Sequence, residues 1–237
     1  MVTGSLAQLQ SLPKLDRSKL LEYPTLSLKE RDRRWNLVRK MMKENDVHAL
    51  IVIQGVRRED NPANYFTNEP IGSSPFVFFP LSGEPFAFGA RDLLVVDTFM
   101  KSEAYGIKSW VKDWRFGPSG MDDWVNELKK RGLSSARIGI IGKGTFSSHS
   151  QALIANTITN AIKTALPKVT FVELWRPFVD IMLIKSQEEI AMFRKAALVL
   201  EVASEEFVWA CKPGARVADI ENAFMIQLSL MELKFGL

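Results

Sequence analysis

The chain has 237 residues and a mass of 26.8 kDa, with 46% hydrophobic and 24% charged residues, a usage that excludes disordered and fibrous classes. The net charge is +4 and the pI about 9.1, but the excess is local: residues 1–43 hold ten Lys/Arg against four Asp/Glu. No apolar run approaches the roughly 20 residues needed to cross a bilayer, which sets membrane proteins aside.

Residues 1–26 have weak periodicity and contain Pro13 and Pro24, so they read as an arm laid over the surface. Met1 to Gln10 lacks the basic and apolar regions of a secretory leader, so a cytoplasmic location is expected. Ser27 and Glu30 form an S-x-x-E capping box, and a helix runs from there to about Asn45. Its cations, Lys29, Arg31, Arg33, Arg34, Arg39, Lys40 and Lys43, could face nucleic acid or simply water. Trp35, Val38, Met41 and Met42 interleave with them as a core stripe, and no nucleic-acid motif accompanies the charge, so no nucleic-acid partner is expected. Val47 to Ile53 is a short β-branched run, read as a buried strand, and residues 54–64 read as a polar loop.

Phe76 to Phe79 and Pro85 to Phe88 predict a hairpin turning at Ser82-Gly83. Leu93 to Val96 is a short strand or a helix start, and Ile107 to Val111 is a further strand candidate. Asp122 to Arg131 is an amphipathic helix closed by Gly132. Arg137 to Ile141 predicts a strand, and His149 to Ala165 a helix with Ile154, Ile158, Ala161, Ile162 and Ala165 on one face. Pro167 ends that helix, and Val169 to Leu174 is another strand. The alternation implies an α/β fold with a mixed sheet.

Near residue 183 the pattern changes. Ser186-Gln187-Glu188-Glu189 is a second capping box, opening a long helix with Ile190, Phe193, Ala197 and Leu200 on one side. Pro213-Gly214 stops it, and a second helix follows with Val217, Ile220, Phe224, Leu228 and Met231 as its stripe. From Phe224 to Leu237, nine of fourteen residues are large and apolar and fall all around the helix, a pattern normally buried on every side.

The run Ile184-Lys185-Ser186-Gln187-Glu188-Glu189-Ile190, then Phe193-Arg194-Lys195-Ala196-Ala197, then Cys211-Lys212-Pro213-Gly214, resembles the opening of the catalytic domain in the Xaa-Pro peptidase and creatinase family. These are metallopeptidases of the pita-bread fold. Upstream, the arginine-rich helix, Ala49 to Val52, Asn64 to Asn68 and the hairpin resemble that family's N-terminal creatinase-like domain. The resemblance implies an arm over 1–26, a creatinase-like domain over 27–182, and an incomplete start of the pita-bread domain over 183–237. It implies metal-dependent cleavage of Xaa-Pro peptide bonds, or related small amide or C–N bonds, in the full-length enzyme. It also implies a divalent metal (Mn, Co or Zn) in full-length relatives, and a homodimer. The family's metal ligands lie beyond the two helices seen here, so no catalytic or metal-binding residue carries over, and this chain is expected to lack the chemistry. In dimeric relatives loops of the first domain reach the partner's site. Arg57, Arg58, Asn64, Tyr65 and Phe66 are therefore the candidate substrate rim, the arginines pairing with a carboxylate. A non-catalytic dimerisation or protein-binding module of the same fold is the alternative.

Other chemistry finds little support. His48 lies in a strand-like run, His149 at a helix start, and no G-x-S-x-G elbow is present. Cys211 is the one cysteine, so no internal disulfide forms, and a helix C-terminus does not stabilise its thiolate. Gly139 to Thr145 fails as a phosphate loop. Arg137 stands where the first glycine belongs, and Gly144 follows Lys143 where Ser or Thr is required.

Overall fold

A computed structural model of the chain describes residues 24–53, 62–68, 76–89, 108–116, 121–142 and 149–235. Residues 1–23 of the arm expected over 1–26, and the segment Leu93 to Val96, lie outside them. Helix α1 spans Leu28–Glu44. Ser27 caps it, its Oγ accepting the Glu30 amide at 3.2 Å. Asn45 closes it, donating its side-chain amide to the Met41 carbonyl at 2.9 Å, and Asp46 turns the chain at φ 53°. Trp35, Val38, Met41 and Met42 are buried, as their spacing requires.

Strand β1, Ala49–Val52, follows. Its pairing reaches one residue further at each end, because the His48 and Ile53 amides donate to the Arg137 and Ile141 carbonyls. The short helix α2, Pro62–Thr67, stands where a polar loop was expected up to residue 64. A proline at the first helical position starts it cleanly, since that position needs no amide donor. The hairpin forms as predicted: β2, Phe76–Pro80, pairs antiparallel with β3, Phe86–Gly89, and Gly83 takes the left-handed φ of 87° at the turn.

The strand expected over Ile107 to Val111 does not form in its described part; β4 is Asp113–Phe116, parallel to β3. Trp110 and Val111 are core residues instead, and the Trp110 amide donates to Thr67 O rather than to a ladder. Helix α3 is Met121–Lys130, with Gly132 at φ 70° beyond it. Strand β5 is Arg137–Ile141, helix α4 is His149–Ala165, and strand β6 is Thr170–Glu173. On α4, Ala155, Ile158 and Ile162 are buried while Ala165 is exposed, so the packed face is turned slightly from the expected one. Helix α5, Trp175–Leu183, was not anticipated at all.

The six strands form one mixed sheet in the order β4-β3-β2-β1-β5-β6. β1 pairs antiparallel with β2 and parallel with β5, and β5 pairs parallel with β6. Strand alternation sorts side chains into two cores. Leu50 and Val52 face α1, α2 and α5, with Val77, Phe79 and Phe178. Ala49 and Ile51 face α3 and α4, with Phe78, Phe86, Trp124 and Ile158. These elements make a three-layer α/β/α unit over Leu26–Lys185.

From Ser186 onward lies a second unit. Helix α6 is Gln187–Ala210 and helix α7 is Val217–Phe235. The capping box is complete: Ser186 Oγ accepts the Glu189 amide at 3.1 Å, and Glu189 Oε2 accepts the Ser186 amide at 2.8 Å. Gly214, at φ 85°, follows the helix stop. The apolar stripe on one side of α6 is largely exposed: Phe193 is 59% and Leu200 52% exposed, and Ala197 is exposed. Val199, Val202 and Ala203 are buried on another side of α6.

Candidate functional site

The candidate rim starts at the end of β1. Arg57 and Arg58 lie outside the described residues. Asn64, Tyr65 and Phe66 sit on α2, which is pinned at its C-terminal end. Trp35 Nε1 donates to Phe66 O at 3.1 Å, the Trp110 amide donates to Thr67 O at 2.8 Å, and Asn68 Nδ2 donates to Lys108 O at 3.1 Å. Phe66 is fully buried, its ring stacked on Phe178 with centroids 5.4 Å apart and tilted against Phe79 at 5.1 Å. Tyr65 meets Phe178 edge-on at 5.4 Å and is also buried. The aromatic rim expected of these two residues is thus core in this chain. A six-residue helix with four apolar or aromatic members has to turn its rings inward, and only Asn64 is half-exposed.

Beside α2 lies a charged cluster that pattern reading placed on a solvated face. Glu30 and Arg34 are 3% and 6% exposed. Arg34 Nε donates to Glu30 Oε1 at 2.8 Å, and Arg33 adds a two-pronged contact at 2.7 and 2.8 Å. The Arg34 guanidinium lies 4.6 Å from the Tyr65 ring centroid and 5.2 Å from that of Trp110. Burial pushes the Glu30 carboxyl up, but hydrogen bonds from Arg33 and Arg34 outweigh it and hold the group below the usual glutamate range. A carboxylate held ionised and saturated with donors is a structural tie, not a general base. The signal for it was legible: Arg34 is four residues after Glu30 and four before the buried Val38.

Three further cations of the basic helix are engaged as well. Arg31 pairs with Asp32 at 2.6 Å, Lys40 approaches Glu44 at 3.8 Å, and Arg39 donates to Gly83 O at 2.7 Å. A second cluster ties α3 to β4. Glu127 accepts Arg131 Nε at 2.6 Å and Arg115 Nη2 at 3.2 Å, while Arg115 also pairs with Asp113 at 2.7 Å. Burial raises the Glu127 carboxyl, yet Arg131 and Arg115 together bring it below its ordinary value. The Arg115 guanidinium covers the Phe86 ring at 3.7 Å.

Among the described residues no group of three or more His, Cys, Asp or Glu could hold a metal ion. His48 is exposed rather than packed, its backbone serving the sheet while its side chain faces out. Cys211 is half-buried at the C-cap of α6. The start of the Gly142 turn has a packing reason. At φ 102°, a Cβ there would stand 2.2 Å from the Ile53 carbonyl oxygen, so the glycine permits close approach of two strand ends.

No family model and no curated protein matches this sequence. Solved structures match the fold. The X-Pro aminopeptidase from Thermotoga maritima MSB8 superposes with a TM-score of 0.61 at 12% identity, over 83% of this chain and 49% of that one. The prolidase from Pyrococcus horikoshii OT3 gives 0.56 at 12% identity, over 84% and 48%. The prolidase from Thermococcus sibiricus gives 0.56 at 16% identity, over 86% and 50%. The chain therefore shares its fold with parts of these peptidases and spans about half their length. Among the described residues no helix is long and apolar enough to cross a membrane.

Proposed function

We propose that this chain supplies the N-terminal lobe of an Xaa-Pro peptidase- or creatinase-like hydrolase: a creatinase-like domain over 27–182 and, over 183–237, the first two helices of a pita-bread catalytic domain. The observation that carries the reading is a fold likeness covering more than four-fifths of the chain but only half of each neighbour. The lobe's task is to support and border a site whose metal ligands, in the full-length enzyme, lie after these two helices. Within it, Arg57, Arg58 and Asn64 are the members of the rim segment with polar groups to offer a substrate carboxylate across a homodimer. Tyr65 and Phe66 hold that segment to the core.

The test is hydrolysis of Xaa-Pro dipeptides by the purified 237-residue chain with Mn, Co or Zn supplied. No turnover is expected. Chelator-sensitive cleavage would overturn the reading. A second reading, a non-catalytic dimerisation or protein-binding module, is favoured by the apolar side chains exposed on α6 and α7, including Leu200, Val217 and Ile226.

A further inference from the structure

Six cations gather at one end of the α/β/α unit, the end opposite the rim segment. There β1, β5 and β6 start side by side and run parallel: the His48 amide donates to the Arg137 carbonyl at 2.9 Å, and Arg137 lies in register with Thr170. Each of these strands is entered from the C-terminus of a helix, β1 from α1, β5 from α3 and β6 from α4. The topology therefore brings Lys43, Lys129, Lys130 and Lys163, from the last turns of those helices, to the same end as Arg137 and Lys168. All six are exposed, and none forms an ion pair among the described residues. Acids at this end are fewer. Glu44 is approached by Lys40 at 3.8 Å and Glu127 is held by Arg131 and Arg115, which leaves Asp46 and Glu84. A cation in the last turn of a helix offsets the negative end of its dipole, but Arg137 and Lys168 stand on no helix.

From this surplus of charge, and from the backbone groups beside it, we propose that this end docks an acidic segment of another protein, rich in Asp and Glu. Two features select a polypeptide over a phosphate polymer. Three helices present their C-termini here, so the nearest backbone dipoles are negative and repel a phosphate brought against them; phosphates are met at helix N-termini instead. Side-chain carboxylates reach the lysine heads at arm's length and leave the peptide backbone its own amide donors. Those donors have acceptors to meet. Pro167 has no amide, so the Lys163 carbonyl lacks its intrahelical donor at the end of α4. A phosphodiester only accepts hydrogen bonds and offers such a carbonyl nothing. The cations also lie on both sides of the sheet, Lys43 on the α1 side and Lys129, Lys130 and Lys163 on the α3 and α4 side, so an extended segment crossing the strand starts passes between them. This inference does not depend on the hydrolase reading, because it concerns the end of the sheet away from the rim.

Fluorescence anisotropy of a labelled decaglutamate peptide, titrated with the 237-residue chain at low salt, tests it. Saturable binding is expected, weakening as salt rises. Arg137→Glu combined with Lys168→Glu should weaken it roughly tenfold, since each reversal removes an attraction and adds a repulsion. Lys29→Glu combined with Lys108→Glu makes the same change in net charge near the start of α1 and beside α2, and should alter binding by less than about twofold. All four side chains are exposed, so an unchanged urea midpoint will certify that each variant folds. An absence of binding would overturn the proposal. So would equal losses in the two variants, which net charge alone would produce. Tighter capture of an oligothymidylate of equal charge, or of vesicles of phosphatidylserine and phosphatidylcholine, would overturn it in favour of a phosphate-bearing surface.

Discussion

The unit over 26–185 and the helix pair after Ser186 obey the same local rules and reach opposite outcomes. In the first, the central strands have helices on their two faces, and Leu50, Ile51, Phe66, Phe78 and Trp124 are wholly removed from water. In the second, α6 has the better N-terminus of the two long capped helices, with both halves of its capping box formed, yet Leu200 and Phe193 stay largely exposed. Capping and propensity decide that a helix forms; burial depends on what other elements bring to its faces. The contrast separates local order from tertiary order within one chain.

The contrast breaks most visibly at the core. Phe66→Ala removes a ring stacked on Phe178 and touching Phe79, and about 3–5 kcal/mol of stability should go with it. Urea denaturation checks this. If Phe66 were a rim residue, the loss would be a few tenths. Gly142→Ala should cost a comparable amount, roughly 3 kcal/mol, because the added carbon meets backbone and the φ is left-handed. The same melt reads it, and a neutral result would mean that the two strand ends are not in close approach.

Smaller effects sharpen the comparison. Ser186→Ala removes one half of the capping box and should cost α6 about 1 kcal/mol, seen as faster amide exchange in its first turn with the sheet unit unaffected. Ile226→Ala on α7, at 59% exposure, should change stability by less than about 0.5 kcal/mol. A loss like that at Phe66 would show the two units to be packed alike.

Acid gives a further handle on the first unit. Glu30 has a folded-state pKa below its ordinary 4.5, so the stabilisation from its ties to Arg33 and Arg34 is fully present above that value. It is lost as pH falls below 4.5 through the folded-state pKa. The urea midpoint of the parent should therefore drop more steeply with acid than that of Glu30→Gln. Parallel pH profiles would show that the carboxylate is not held by the two arginines.

Much of the sheet unit was legible because its signals agree across levels. The β1 run, the aromatic hairpin around Ser82-Gly83, and the β5–α4–β6 alternation each read one way. The misses have physical causes. Helix α2 has only six residues, too few for a period to show. Helix α5 carries Pro177 in its first turn and follows directly on an apolar strand, so the two runs blur. Strand β4 reads D-W-R-F and is weaker by pattern than the 107–111 run, but Trp110 and Val111 pack into the core, the Trp110 amide donating to Thr67 O. On α6 apolar residues occur on two faces, so periodicity alone chose the exposed line over Val199, Val202 and Ala203. In the candidate rim segment the inward turn of the Tyr65 and Phe66 rings was not legible, because a short helix hides which way its aromatics point.

The sheet order has a consequence for biosynthesis. β1 is central, and its neighbour β5 begins 85 residues after β1 ends. At about 5–20 residues per second, translation leaves one edge of that aliphatic strand open for roughly 4–17 seconds after it is made. The nascent chain passes through an interval in which the β5-facing backbone groups of Ala49–Val52 lack their strand partner, an edge open to pairing with another chain.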